Sequence, residues 1–422
     1  MKSFTSAFCA CVLLIGLGLT SPGGAAELSD ARIKSFIEEK KRLVETYGTN
    51  SSAPAMRNVP AFFEAAVSGQ WADATNRYGV LWESQNGAHK DAVALPSDIW
   101  GTTHEAGGLC EILASSKLKF IQLFGDELLK TLPDGAIYFG GTAWGRFVVA
   151  GFSKSHTEGK PVFTITQNAL ADKRYLNYVR SIYGKKISVP DTEEYDKVIR
   201  DFGGSGTNGG MVSAMNFNGE LARLIFTSNP KRQFSVEESF PVEWMYPYLT
   251  PDGPILKLQH KLVSELSPEQ IKSDRRYWTG ICDKLVGHIA LETNSVENFC
   301  ETVTTVYSKD HRAEFKGDRD YLDDADARQA FSKLRCAIAG VFFWHIKEAS
   351  SAANRKVMED EAEFAFRQAW LLCPTFTEAS FRYMNLLLTQ NRREDAIALI
   401  NSAQKLDPDN AQISDVVRRL KY

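Results

Sequence analysis

Ala362, Ala369 and Pro374 recur as Ala396, Ala403 and Pro408, and the constant offset of 34 residues constrains the end of this chain more than any other feature. A period of that length holds two helices and two turns. Alanines on the second helix let it approach its partner closely, and a proline at its close stops it before the next unit. One such unit cannot bury its apolar face alone, so it must stack on a neighbour. The pattern predicts the second helix of one unit over 357–373 and a complete unit over 377–408. A capping helix with a polar outer side follows over 409–422, where Arg418, Arg419 and Lys421 suit the negative end of the helix dipole.

This periodicity resembles the tetratricopeptide repeat, and the resemblance implies a protein partner and no chemistry of its own. Arg382, Tyr383 and Asn385 lie on the first helix of the complete unit and are its predicted partner contacts.

The chain has 422 residues, enough for two or three domains with separate cores. Apolar residues make up 44% and charged residues 24%, which argues for a folded protein and against disorder. A net charge of −3 with mixed signs leaves no electrostatic footprint for nucleic acid. Residues 1–26 read as a secretory signal: Lys2, an apolar run from Phe8 to Leu19, and Gly24-Ala25-Ala26 before Glu27. No later stretch is long and apolar enough to span a bilayer. The expectation is an exported chain, most simply a periplasmic one. Cys110, Cys282, Cys300, Cys336 and Cys373 then remain, an odd number. They read as buried thiols, with Cys282 and Cys300 the best candidates for a disulfide.

Residues 27–131 are predicted as a helical brace. Ile33, Phe36, Ile37, Leu43, Val44 and Tyr47 mark one buried face, and Pro60 opens a second helix carrying Phe62, Phe63, Ala66, Val67 and Trp71. Further helices are expected near 72–84 and 105–131. From 132 to 267 the rhythm becomes α/β. Ala136–Phe139 and Val162–Thr166 are short apolar runs, each closed by a turn and followed by a helical stretch, as in a parallel sheet. Strands are also expected near 233–237 and 254–259, with a mobile loop over Gly203–Gly210. A helical connector over 268–349 leads to the repeats at 350–422.

Gly140, Gly141, Thr142, Gly145 and Arg146 sit between the first strand and its helix. Bare backbone N–H groups and the helix dipole attract anions there, and Arg146 could clamp a phosphate or carboxylate. The plainer alternative is a tight turn with Arg146 in a salt bridge. Gln167, Asn168 and Asp172 occupy the second strand end, as sugar-binding groups or, more plainly, as helix caps. Asp318-Arg319-Asp320 matches the metal-binding DxD pattern by chance composition and reads as a solvated loop starting a helix. The seven histidines are scattered, with no HExxH, so neither a metal nor a cofactor is predicted. Trp244, Tyr246 and Tyr248, with Phe240, Pro241 and Pro247, read as a loop packed onto the core.

Residues 132–183, with Gly140-Gly141-Thr142, Gly145-Arg146-Phe147, Thr166–Asp172 and Tyr175, look like the soluble extramembrane domain of large bacterial membrane proteins that resemble protein O-mannosyltransferases. Those proteins often carry tetratricopeptide repeats after that domain. The membrane part that would hold a transferase's machinery is absent from this sequence, and Ala143 stands where the family tends to have an acidic residue. The fold class expected is thus an α/β domain of Rossmann-like character with a helical N-terminal brace, followed by an all-α tetratricopeptide array. Two functions are open. One is a periplasmic scaffold that binds a protein through its repeats, without catalysis. The other is an accessory or enzyme of envelope glycosylation, gripping a glycan or sugar phosphate at Arg146, Gln167 and Asn168.

Overall fold

A computed structural model describes residues 30–48, 51, 53–86, 94–153, 159–203, 210–237, 242–291, 295–308 and 315–421. The signal segment, most of the Gly203–Gly210 loop and the pair Phe240-Pro241 lie outside the described residues. Five helices come first: α1 (Ala31–Gly48), α2 (Val59–Val67), α3 (Trp71–Asn86), α4 (Ser97–Ser115) and α5 (Leu118–Thr131). The single helix expected near 105–131 is therefore two. The break at Ser116-Lys117 is fixed from far away, since Lys117 N and Ser116 Oγ donate to the Asp324 carboxylate at 2.7 and 3.1 Å.

The sheet follows, as β1 (Ile137–Gly140), α6 (Ala143–Phe152), β2 (Phe163–Thr166), α7 (Lys173–Tyr183), α8 (Thr192–Gly203), α9 (Gly210–Ser228) and β3 (Phe234–Val236). A hairpin of β4 (Leu249–Asp252) and β5 (Ile255–Leu258) completes it. The strand order is β2-β1-β3-β5-β4. β1 runs parallel to both β2 and β3, while β3–β5 and β4–β5 are antiparallel. The sheet is small and mixed, and the molecule around it is mostly helical. β1, β2 and β3 are buried at every residue, including the polar Thr164, Thr166 and Ser235. β4 escaped the sequence because it carries Pro251, tolerable here on an edge strand. Gly253, at φ +58°, turns the chain between β4 and β5.

Helices return with α10 (Pro268–Leu285), α11 (Val296–Tyr307), α12 (Arg319–Asp323) and α13 (Ala325–Glu348). Ser267 and Gln270 form a capping box at the start of α10. The repeats are α14 (Ala352–Leu372), α15 (Thr377–Thr389), α16 (Arg393–Leu406) and α17 (Ala411–Lys421). Ala362, Ala369, Ala396 and Ala403 are all fully buried, as the period demands. α13 and α14 form one long hairpin across residue 349, and α13 also covers β4 and β5. Phe124 of α5 meets Phe331 of α13 edge to face, and Tyr246 stacks on Trp344, so the array is anchored to the sheet and the brace. Among the described residues no helix is long and apolar enough to cross a membrane. The five cysteines are buried and unpaired, and Cys282 and Cys300 form no disulfide. Burial pushes the thiols of Cys282, Cys300 and Cys336 up to about 12.

Candidate functional site

The turn after β1 holds a carboxyl group, and that group belongs to the protein. Glu237, directly after β3, accepts from the N–H groups of Gly141 and Thr142 at 3.1 and 3.2 Å and from the Thr142 hydroxyl at 2.7 Å. The Thr142 oxygen in turn accepts from Gly145 N at 2.9 Å and caps α6. Gly145 is required by this arrangement, because a Cβ there would lie 2.0 Å from a Glu237 carboxylate oxygen. Gly140 pairs with Thr166 at the end of β1. Burial raises the Glu237 pKa, and the Thr142 hydroxyl and the two N–H groups oppose that rise.

Arg146 points elsewhere. It forms no ion pair with any described carboxylate, so the salt-bridge alternative does not describe it. Its Nε is enclosed without a hydrogen-bond partner among the described residues, and its guanidinium carbon lies 4.4 Å from the centre of the Phe147 ring. Burial lowers its pKa, against the pull of Tyr175, Tyr78, Glu111 and Glu105. It opens onto a cavity of about 40 Å³ lined by α4, α6, β2 and α7. The lining includes His104, Glu105, Phe147, Thr164, Tyr175 and Tyr178. Thr164 Oγ1 is likewise enclosed without a partner among the described residues.

The walls come close because α4 has glycines where rings lie against it. A Cβ at Gly101 would meet the Tyr178 ring at 2.3 Å, and one at Gly108 would meet the Phe147 ring at 2.1 Å. His104 stacks on Trp100 and shares a 2.5 Å hydrogen bond between its Nδ1 and the Tyr78 hydroxyl. Burial, helped by Arg146, lowers the His104 pKa to about 3, so the ring is neutral at pH 7. Behind it Lys40 of α1, fully buried, donates to Glu105 at 2.5 Å and to Tyr178 Oη at 3.3 Å. The pair cancels its own charge. Tyr175 Oη accepts from Thr166 N at 2.6 Å, and burial pushes its pKa up to about 12.

The remaining predicted residues divide. Asp172 caps α7 by accepting from Arg174 N at 2.8 Å, the plainer of its two expected roles. Asn168 is exposed at the β1–β2 strand ends, its Nδ2 donating to Gly141 O at 3.4 Å. Gln167 is buried, with Oε1 unpaired among the described residues. Arg382 and Tyr383 are corrected as partner contacts, because they face inward. Arg382 pairs with Glu378 at 3.3 Å and lies against Gly340 of α13. Tyr383 has no exposed surface and bonds Arg367 and Glu363 at 3.1 and 3.2 Å. Asn385 alone of the three is exposed. Asp318 caps α12, so the DxD starts a helix, and Lys119 pairs with Asp318 and Asp320 at 2.7 Å, ion pairs the sequence did not announce. Among the described residues no cluster of His, Cys, Asp and Glu could hold a metal. Trp244 Nε1 donates to Gly219 O at 2.9 Å, fixing the aromatic loop on the core.

Lys40, His104, Glu105 and Thr164 went unread in the sequence. Lys40 left one trace: it interrupts the apolar face Phe36-Ile37-Val44 at helical spacing.

Residues 359–420 match the family model of the tetratricopeptide repeat. No curated protein matches the chain. No solved structure matches it either.

Proposed function

We propose that this protein is an exported scaffold that holds a protein partner on the outer end of its tetratricopeptide helices. The match over residues 359–420 carries the reading, since helices stacked this way serve protein recognition. α13 lies against the sheet, and Arg382 is engaged by Glu378, so the inner end of the array is occupied by the protein itself. The exposed residues Asn385 and Thr389, one turn apart on α15, offer the partner a surface. The periplasm is the location we assign from residues 1–26, and the parallel strands β1, β2 and β3 are in our reading a reduced Rossmann-like core. A sugar phosphate at the Gly140-Gly141 turn would have to displace Glu237, which weighs against the glycosylation reading.

In-cell crosslinking with Asn385→Asp/Thr389→Glu tests the scaffold. The expected result is loss of a defined crosslinked partner with an unchanged unfolding midpoint. A partner retained at wild-type level by that variant would remove this surface from consideration. Sequencing the N-terminus of the exported chain tests the location, with Glu27 expected first.

A further inference from the structure

The cavity beside β2 contains a cation that no described residue neutralises by an ion pair. Among the described residues Arg146 is the charged group on its lining that has no ion-pair partner, since Lys40 answers Glu105 and His104 is neutral at pH 7. Glu111, the other carboxylate that Arg146 feels, lies beyond ion-pair distance, and burial raises its pKa. A guanidinium turned into a desolvated space is costly unless an anion meets it. Thr164 belongs to the same lining, and its Oγ1 is enclosed without a partner among the described residues.

We propose that this cavity is a binding site for the carboxylate of a small organic monoanion. The volume decides the size of the group: about 40 Å³ exceeds what one water needs, about 10–15 Å³, and suits a head of a few atoms. The charge decides its valence. One uncancelled cation balances one negative charge, whereas a phosphate dianion would leave a net negative charge in a buried space. The donors decide its shape, because a guanidinium and a hydroxyl can each take one oxygen of a planar carboxylate. Phe147, Tyr175 and Tyr178 leave the rest of the ligand an aromatic wall. The site is separate from the Gly140-Gly141 turn, whose donors are spent on Glu237. It is also independent of the repeats, so it stands whether or not they hold a partner.

The test titrates the full mature chain with sodium acetate at constant ionic strength, chloride being replaced, and reads both the unfolding midpoint and the heat of binding. Inorganic phosphate is the parallel probe. The expected result is a saturable rise of the midpoint with acetate and a smaller one with phosphate. Arg146→Met should weaken acetate binding by roughly tenfold or more, and Thr164→Val by a few-fold, as expected for a charged and a neutral hydrogen bond. Arg146→Met should fold as well as the parent in the absence of acetate, because it strands no carboxylate. Should it not fold, Thr164→Val and Arg146→Lys carry the test by calorimetry alone. No saturable response to acetate overturns the site, as does a response that both substitutions leave unchanged. Tighter binding of phosphate than of acetate overturns the assignment to a monoanion.

Discussion

Two arginines in this molecule, Arg335 in the core and Arg146 at a cavity, have opposite surroundings. Arg335 of α13 is sealed among helices, its Nη1 donating to both oxygens of Asp274 at 2.9 and 2.8 Å and its Nε to Gln368 at 2.8 Å. It also lies over the Trp278 ring at 5.3 Å. Arg146 has an aromatic ring beside it and a cavity before it, with no carboxylate in reach among the described residues. In the helical connector a charge is buried together with its complement, and the result is a joint between α10, α13 and α14. In the α/β part no described residue supplies that complement, and the proposed ligand would. Burial of a charge alone says little about function; whether its partner is covalently present says more.

The contrast can be broken first where it is energetically largest. Arg335→Met leaves Asp274 sealed without its partner, and should cost about 3–5 kcal/mol of stability in urea unfolding. The double variant Arg335→Met/Asp274→Leu should recover most of that loss. If Arg335→Met proves as mild as Arg146→Met, the two arginines do not differ as described. Next comes the wall of the cavity. Gly108→Ala forces the Phe147 ring away from α4 and should cost about 1–3 kcal/mol, with loss of acetate binding even though Arg146 remains.

A smaller effect concerns pH. His104 has a folded pKa of about 3 against 6.5 unfolded, so between those values the unfolded chain binds the extra proton. Stability should therefore fall as pH drops below about 6.5, the loss growing until pH reaches about 3. His345, lowered to about 4 by burial, adds a loss of the same sign. His104→Gln should flatten part of the slope between pH 7 and 5 in urea unfolding, and an unchanged slope would show His104 to be protonated in the fold. Smallest of all is the Lys119 cluster. Asp320 is exposed, so Asp320→Asn should leave the unfolding midpoint within error, and a clear drop would mean that exposed and enclosed pairs matter alike here.

How much of this was legible depended on how far apart in sequence the causes lie. The repeats were legible because period, small residues and proline recur locally. α8 was not read, although Asp191 and Glu194 exchange backbone hydrogen bonds at 2.9 Å in the reciprocal manner that a D-x-x-E spacing announces. The glycine turn was read as a site for a ligand's anionic group, whereas Glu237 fills it, 96 residues from Gly141, and no local signal could name that side chain. The start of α4 was missed because Gly101, Gly107 and Gly108 dilute its pattern, and they do so to admit rings from α3, α6 and α7. Arg146 could be flagged by residue type and place. Its lack of an ion-pair partner among the described residues depends on the whole fold, invisible in any window of sequence.

The five buried sulfhydryls give the molecule a set of internal clocks. Each sits on a different element, with Cys110 on α4, Cys282 on α10, Cys300 on α11, Cys336 on α13 and Cys373 at the end of α14. A thiol reagent can reach none of them until its own neighbourhood opens, so the labelling rate at each cysteine measures the opening of one element. Brace, connector and repeats can thus be timed separately in a single unmodified chain, and elements that open together will share one rate.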